Sequence, residues 1–204
     1  MNFAPHEILA MVAGASFAAG LNVYATVATL GLVARAGWVA LPAPLHPLES
    51  WWVIGAALAL FAIEFVADKI PAFDLIWNAL QTFVRVPVAA LLGYTATAQL
   101  SPRAQLLTAL MAGAIALAAH GGKTAVRAAV TPSPEPLSNA ALSFGEDAVA
   151  IGLTWFAVTY PYVAAAIAMV GVILIILLLR WVFRAVRSLF QGARRRWEEL
   201  ERAA

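Results

Sequence analysis

The 204-residue chain is 63% hydrophobic and 12% charged, with a mean hydropathy of +0.83. Soluble domains carry about 25% charged residues, so this composition excludes an ordinary soluble globule and predicts helices that cross a lipid bilayer. The chain has no cysteine, which excludes disulfide bonds and thiolate metal sites, and its net charge of +2 arises from a basic C-terminal tail, so nucleic-acid binding is not expected.

The hydropathy pattern predicts an all-α fold, a polytopic membrane helical bundle of about six spans within residues 1–182. The predicted spans cover residues 8–33, 51–67, 75–97, 104–120, 140–158 and 163–183. Residues 184–204 are predicted to form a basic amphipathic tail, and seven of the thirteen basic residues follow Leu179. Because Lys and Arg are retained in the cytoplasm, we expect the tail there, and six spans would bring the N-terminus to the same side.

The first predicted span is interrupted near its middle by the segment Gly20-Leu-Asn-Val-Tyr24. Glycine permits a break or a close helix contact, and the amide of Asn22 both donates and accepts hydrogen bonds. Two interpretations fit: a packed helix interface with one interhelical hydrogen bond, or a broken helix that lines a binding site as in transporters.

The second predicted span ends in a run of ionisable residues, Glu64-Phe-Val-Ala-Asp68-Lys69. Glu64 and Asp68 are four residues apart and share one face of a helix. A charge at the centre of a bilayer costs about 2.5–3.5 kcal/mol on insertion scales, so such residues face protein or water and usually mark a functional site. Pro71 is expected to end or kink this helix, and Asp74 to cap the next one.

Basic residues mark the third and fourth spans. Arg85 lies on a polar side of the third span that it shares with Gln81. The fourth span is predicted to end at His120, beyond which Lys123 and Arg127 point the same way. They indicate either an anion-binding helix start or cytoplasmic charges that anchor a loop.

A proline-rich linker at residues 131–139 precedes the fifth span. That span carries Glu146 and Asp147 side by side without a basic neighbour in sequence, so a cation or an arginine from elsewhere in the fold is expected near them. The sixth span holds no polar residue between Val170 and Leu179 and is predicted to face lipid.

The two halves of the chain resemble each other in part. Residues 11–20 match 111–119, and residues 61–64 match 143–146, which predicts a 3+3 inverted repeat with broken helices and a midplane site. In this alignment the break at Leu21-Asn22 overlays His120-Gly121. A rival alignment of residues 82–85 with 143–146 would make the two halves parallel.

The charged residues are expected to converge on one intramembrane site, because charged side chains within lipid must pair or face water. The candidate substrate- or ion-binding residues are Asn22, Tyr24, Glu64, Asp68, Lys69, Arg85, His120, Lys123, Arg127, Glu146 and Asp147. The candidate metal ligands are Glu64, Asp68, Glu146 and Asp147. If these carboxylates dominate, the site would bind a cation or relay protons, and if the bases dominate it would bind a small anion or a lipid headgroup.

Several segments together resemble a known family. They are Gly20-Leu-Asn-Val-Tyr24, Glu64-Phe-Val-Ala-Asp68-Lys69-Ile-Pro71, Gln81-Thr-Phe-Val-Arg85, the stretch from His120 to Arg127, and Ser143-Phe-Gly-Glu146-Asp147. Over roughly residues 10–152 the chain resembles a bacterial integral membrane family designated domain of unknown function 4126. The resemblance implies a membrane location and no activity, and we expect this membrane to be the bacterial inner membrane.

The segment from Glu64 to Lys69 is also similar to a motif of cation/proton exchangers for manganese and calcium, Glu-x-Gly-Asp-Lys-Thr. One extra residue separates Glu64 from Asp68, and the second copy of the motif is reduced to Glu146-Asp147. The similarity makes metal transport a hypothesis only.

The leading hypothesis is a small secondary transporter or channel-like permease, with cation or proton coupling favoured. The alternatives are a lipid-phosphate carrier or scramblase that uses the bases, and a structural or assembly membrane protein whose charges only pair. No Ser/His/Asp spacing or metal-binding helix motif supports an enzyme, and no cofactor is expected. The expected partners are membrane lipids and a small ion or anionic substrate, with a homo-oligomer left open.

Overall fold

A computed structural model describes residues 3–68, 71–130 and 136–203 of the chain. Side chains are described for residues 3–68, 76–127 and 140–184, and at 187, 188 and 191. Within these ranges all regular structure is helical, which confirms the all-α prediction. The elements are α1 Pro5–Leu21, α2 Val23–Arg35, a 3₁₀ helix Ala43–Glu49, α3 Trp51–Ala67, α4 Pro71–Ala96, α5 Pro102–Val130, α6 Pro136–Thr159 and α7 Pro161–Ala203.

Helices α4, α5, α6 and α7 are each long and apolar enough to cross a bilayer. Helix α3 adds a fifth span when it is joined to the 3₁₀ helix, from which it is bent by 64°. In α7 the apolar part, Pro161–Arg184, has a mean hydropathy of 3.0 and continues without a break into the basic tail. The described helices therefore supply four or five spans, and the prediction of about six is not confirmed.

The first predicted span is two helices. α1 ends at Leu21 and α2 begins at Val23, and between them Asn22 has an extended backbone with φ −152° and ψ 104°. The Asn22 side chain accepts a hydrogen bond from the amide of Ala25 at 2.9 Å and so caps the start of α2. The structure thus shows the broken helix, one of the two interpretations of this segment, together with the interhelical hydrogen bond of the other, from Asn22 to Asp147.

Helix α1 runs antiparallel to α6. Early in α1, Gly14 packs so closely against the C-terminal part of α6 that a Cβ on it would lie 3.3 Å from Ala157 Cβ. At the end of α1, Asn22 donates to Asp147 in the N-terminal half of α6 at 2.8 Å. From its start to its end, helix α1 therefore runs along α6 from the C-terminal part of α6 toward the N-terminal part of α6.

Helix α2 returns along the same helix. The hydroxyl of Thr154, which lies farther toward the C-terminus of α6, donates to Thr26 Oγ1 at 3.3 Å. At the end of α2, the Arg35 guanidinium lies 4.4 Å from the ring centroid of Trp51 at the start of α3. Together α1 and α2 form a helical hairpin with Asn22 at its tip.

The hairpin determines which ends of the chain lie together. The start of α1 and the end of α2 share one end of the bundle, which we call the hairpin end. There His6 stacks on Tyr162, with ring centroids 6.1 Å apart, so α7 also begins at this end. The 43 residues of α7 then lead to the opposite end, the tail end. The prediction that both termini lie on one side is not confirmed, because the first predicted span turns back at Asn22.

Small residues allow the hairpin to enter the bundle deeply. A Cβ on Gly20 would lie 2.6 Å from Ala119 Cβ and 2.9 Å from Ala116 Cα, so only glycine fits against α5 at this position. The neighbouring Ala18 and Ala19 are completely buried. Close backbone approach through small residues is the usual way in which helices associate within membranes.

Helix α5 continues past the point where the sequence predicts an end, because it runs through His120 and the two glycines to Val130. A Cβ on Gly122 would lie 2.6 Å from Ile175 Cγ1, so this glycine serves the contact between α5 and α7. The predicted anion-binding helix start is therefore wrong. The overlay of this segment on the Asn22 break is also wrong, and the inverted repeat is not confirmed.

Helix α4 begins earlier than the sequence predicts. Within the described residues it extends back to Pro71, and proline is favoured in the first turn of a helix because its missing amide donor is not needed there. Asp74 consequently lies within the helix and not at its cap, and its side chain lies outside the described part.

Candidate functional site

Charged side chains from four helices meet around the hairpin tip. α3 and its C-cap contribute Glu64 and Asp68, α4 contributes Arg85, α5 contributes His120, Lys123 and Arg127, and α6 contributes Glu146 and Asp147. Ion pairs link all three of the bases Arg85, Lys123 and Arg127 to acids from other helices. The structure thus brings eight of the eleven candidate residues together.

The inner part of the cluster is centred on Arg85. Its guanidinium forms an ion pair with Glu64, and both side chains are completely buried. Arg85 Nη1 also donates to the carbonyl of Gly20 at 3.1 Å and to His120 Nδ1 at 2.9 Å. Because a guanidinium only donates, Nδ1 must accept, which assigns a neutral imidazole with its proton on Nε2. That nitrogen lies 2.9 Å from the Thr82 hydroxyl and 3.0 Å from a backbone carbonyl of α4.

The ammonium of Lys123 lies among three carboxylates. Its Nζ is 3.2 Å from Glu146 Oε2, 3.4 Å from Asp68 Oδ2 and 3.6 Å from Glu64 Oε1. It also donates to the carbonyl of Leu21, the last residue of α1, at 3.2 Å. The carbonyls at the C-terminal end of a helix carry partial negative charge, so the hairpin tip adds to the field that holds this cation.

Arg127 joins two of these acids toward the tail end. Its Nη2 lies 2.8 Å from Asp68 Oδ2 and 2.6 Å from Glu146 Oε2. The hydroxyl of Ser143 lies 3.5 Å from the same oxygen of Asp68. The side chain of Glu146 is 12% exposed, against 0–1% for Glu64 and Asp68, so the cluster comes nearest to the protein surface at Glu146.

Asp147 differs from the other acids of the cluster. Its Oδ1 accepts from Asn22 Nδ2 at 2.8 Å, which ties α6 to the hairpin tip. Among the described side chains, it is in an ion pair with none. Asp147 is therefore joined to the hairpin tip by its hydrogen bond from Asn22, the residue that separates α1 from α2.

Acids outnumber bases in the described cluster. The acids are Glu64, Asp68, Glu146 and Asp147, and the bases are Arg85, Lys123 and Arg127. Three buried carboxylate oxygens have no hydrogen-bond partner in the described part of the chain: Glu64 Oε2, Asp68 Oδ1 and Asp147 Oδ2. An unsatisfied buried polar group costs about 1–3 kcal/mol, and more when it is charged, so these oxygens favour water or a cation beside them.

Of the two remaining predicted residues, Tyr24 lies at the edge of this arrangement. The hydroxyl of Tyr24 accepts from the buried Gln81 Nε2 at 3.1 Å, beside the cluster. Lys69 lies outside the described residues.

The carboxylates predicted as metal ligands do not form a metal centre in the part of the chain that the structure describes. No group of three or more His, Asp or Glu is arranged there to hold a metal ion. The reason is that basic side chains lie between the acids: Lys123 separates Glu64 from Glu146, and Arg127 separates Asp68 from Glu146. Glu64, Asp68 and Glu146 thus belong to an ion-pair network with Arg85, Lys123 and Arg127, whereas Asp147 is hydrogen-bonded to Asn22.

The candidate site residues predicted from the sequence do not include two hydroxyl groups that complete the site. Ser143 contacts Asp68, and Thr82 contacts His120. A signal for Ser143 is present, because it precedes Glu146 by three residues and therefore shares a helix face with it. The pairing of Thr26 with Thr154 depends on the return of α2 along α6, which hydropathy does not encode.

The family model described as Domain of unknown function (DUF4126) matches residues 9–181, which is most of the chain. The match includes the hairpin from residue 9 onward and every residue of the charge cluster. No curated protein and no solved structure matches the chain.

Proposed function

We propose that this chain, which belongs to the family described as domain of unknown function DUF4126, is a small secondary transporter that moves a cation. The observation that carries the proposal is the meeting of the hairpin tip with a buried cluster of acids and bases. We place the substrate site at this meeting point.

The hairpin supports the proposal because extended backbone within a membrane is tolerated only where protein or water covers it. Many secondary transporters bind substrates and coupling ions at such helix breaks, where free carbonyls and amides meet the ligand. Here Arg85 donates a hydrogen bond to the carbonyl of Gly20, and Lys123 donates one to the carbonyl of Leu21. At the start of α2, the side chain of Asn22 donates a hydrogen bond to the carboxylate of Asp147.

The balance of charge favours a cation over an anion. Each described base of the cluster is already neutralised by at least one carboxylate, whereas buried carboxylate oxygens of Glu64, Asp68 and Asp147 are left without partners. Carboxylate oxygens are the ligands that hard cations prefer. An anion would first have to displace these carboxylates from their bases.

A flux measurement tests the proposal. Wild-type protein in proteoliposomes should take up a cation down its gradient, with protons, sodium, potassium and divalent cations tried in turn. Glu64→Gln and Glu146→Gln should each lower the initial rate at least about tenfold, because each removes one partner of a buried charge pair. Glu49→Gln, which removes an acid from the 3₁₀ helix far from the cluster, is the matched control and should retain the wild-type rate. Wild-type flux in both cluster variants would refute the proposal.

A lipid-phosphate carrier is the second candidate, and one observation favours it. An apolar groove of about 370 Å³ lies between α2, α3 and α4, lined by Tyr24, Trp52, Ala57, Leu60 and Val88 among others. Its size suits part of an acyl chain, and the Tyr24 hydroxyl connects it through Gln81 to the polar interior. Transbilayer movement of a fluorescent phospholipid by wild-type protein, lost in Ala57→Trp, would support this candidate against cation transport.

We also propose a bacterial inner membrane as the location, with the tail end in the cytoplasm. The basic residues of the tail favour that side. The hairpin end would then face outward.

A further inference from the structure

We infer that the space now held by the Lys123 ammonium is a binding site for a monovalent cation. The inference rests on the proposed transport function and specifies its ligand. The protein's own ammonium is the resident occupant of this site, and an external cation of single charge replaces it.

The oxygen atoms around Lys123 Nζ are those that an alkali cation or a small alkylammonium would use. They are Glu146 Oε2 at 3.2 Å, Asp68 Oδ2 at 3.4 Å, Glu64 Oε1 at 3.6 Å and the carbonyl of Leu21 at 3.2 Å. Carboxylates together with the carbonyl end of a broken helix are the usual ligands of coupling cations in transporters.

Partnerless oxygens on the same acids provide an independent observation. Glu64 Oε2 and Asp68 Oδ1 are buried without a hydrogen-bond partner in the described part of the chain, although both side chains are at most 1% exposed. The ammonium of Lys123 thus leaves the bonding capacity of these two carboxylates incompletely used. A free cation, which has no chain to direct its approach, can sit closer to them.

Lys123 is the most readily replaced base of the cluster. Its carboxylate contacts of 3.2–3.6 Å are long for charge-assisted hydrogen bonds, which measure about 2.7–2.9 Å. Arg127 holds Asp68 and Glu146 at 2.8 and 2.6 Å, and the Arg85 guanidinium is bonded to three helices at once. A flexible lysine stem also permits withdrawal without moving a helix.

The charge of the ligand follows from the balance of the cluster. Exchange of an ammonium for another monovalent cation leaves the net charge unchanged, so the buried pairs of Arg85 and Arg127 keep their partners. A divalent cation requires several oxygen ligands arranged together around it. The described residues hold no preformed group of three acidic or histidine ligands for such an ion.

The test is cation-dependent stability of Lys123→Ala in detergent. Potassium chloride or methylammonium chloride should raise the unfolding temperature of this variant by about 4 °C, relative to N-methylglucamine chloride at equal ionic strength. The bulky N-methylglucamine ion does not fit the vacated space. Lys123→Arg, whose own cation fills the space, is the matched control and should show no difference between the salts. Equal unfolding temperatures of Lys123→Ala in all three salts would overturn the inference.

Two further variants keep the test decisive. If Lys123→Ala does not fold, Lys123→Gln replaces it under the same criterion, because its amide retains a donor for the Leu21 carbonyl. Adding Asp68→Asn to either variant should abolish the salt-specific shift, and a shift that survives would place the cation elsewhere and overturn the inference. Cation-specific stabilisation without any flux would refute the proposed transport function while supporting this site. Flux without cation-specific stabilisation would support the proposed transport function and overturn the inference of this site.

Discussion

Removing Arg85 alone should destabilise the protein far more than removing Arg85 together with Glu64. Both side chains are completely buried and form an ion pair. Arg85→Met would leave the Glu64 carboxylate buried without its main partner, and truncating one member of a buried pair costs about 3–5 kcal/mol. The variant would also lose the hydrogen bonds to the Gly20 carbonyl and to His120, worth about 1 kcal/mol each. We therefore expect a loss of about 5 kcal/mol or more.

The double variant Glu64→Leu/Arg85→Met should lose much less. It removes both charges, so no uncompensated ion remains, and apolar residues of similar volume fill the space. Lys123 keeps two other carboxylates, those of Asp68 and Glu146, within 3.4 Å. We expect the double variant to lie within about 2 kcal/mol of the wild type, and therefore to be more stable than Arg85→Met alone by about 3 kcal/mol.

The assay is reversible unfolding of purified protein in mixed micelles, by titration with a denaturing detergent. Arg103→Met, which removes an exposed cation at the start of α5, is the control and should change stability by less than about 0.5 kcal/mol. A loss below about 1 kcal/mol for Arg85→Met would refute the reasoning, because that is no more than an exposed pair contributes. A double variant as unstable as the single variant would also refute it.

Two further predictions concern the packing and direction of the helices. Gly122→Ala should destabilise the protein, because the added Cβ would lie 2.6 Å from Ile175 Cγ1. Gly121→Ala, which faces open space, should be neutral or stabilising by up to about 1 kcal/mol. The same unfolding assay compares the two variants, and equal effects would contradict the proposed role of Gly122. Because the chain has no cysteine, His6→Cys and Arg187→Cys each introduce a single thiol. A membrane-impermeant maleimide should label these two thiols from opposite faces of the membrane. Labelling of both from the same face would exclude the hairpin.

The convergence of the charges could be predicted from the sequence, because one physical rule governs it. Buried charges in a membrane must pair or reach water, so acids at Glu64 and Glu146 and a base at Arg85 had to find partners wherever the helices placed them. The rule does not say which partners. That Lys123 lies among three acids depends on the orientation of α3, α5 and α6 about the hairpin, which only the packing determines.

The break at Asn22 could also be predicted, but not the direction of the chain beyond it. A polar residue after a glycine marks an interruption equally well in a straight span and in a hairpin. What turns α2 back is tertiary packing, including the contact of Thr26 with Thr154 on α6. Near Gly122 the glycines predict that the helix ends, but the structure shows a continuous helix. There Gly122 leaves space for the side chain of Ile175.

The central claim, that cations reach and occupy the charge cluster at the hairpin tip, can be tested at Ser143, which is completely buried beside Asp68. The measurement is the rate at which a membrane-impermeant, positively charged thiol reagent modifies Ser143→Cys in sealed vesicles of each orientation. The account predicts modification from the tail end, slowed by potassium and not by N-methylglucamine. No modification from either side, or a rate that is independent of potassium, would contradict it.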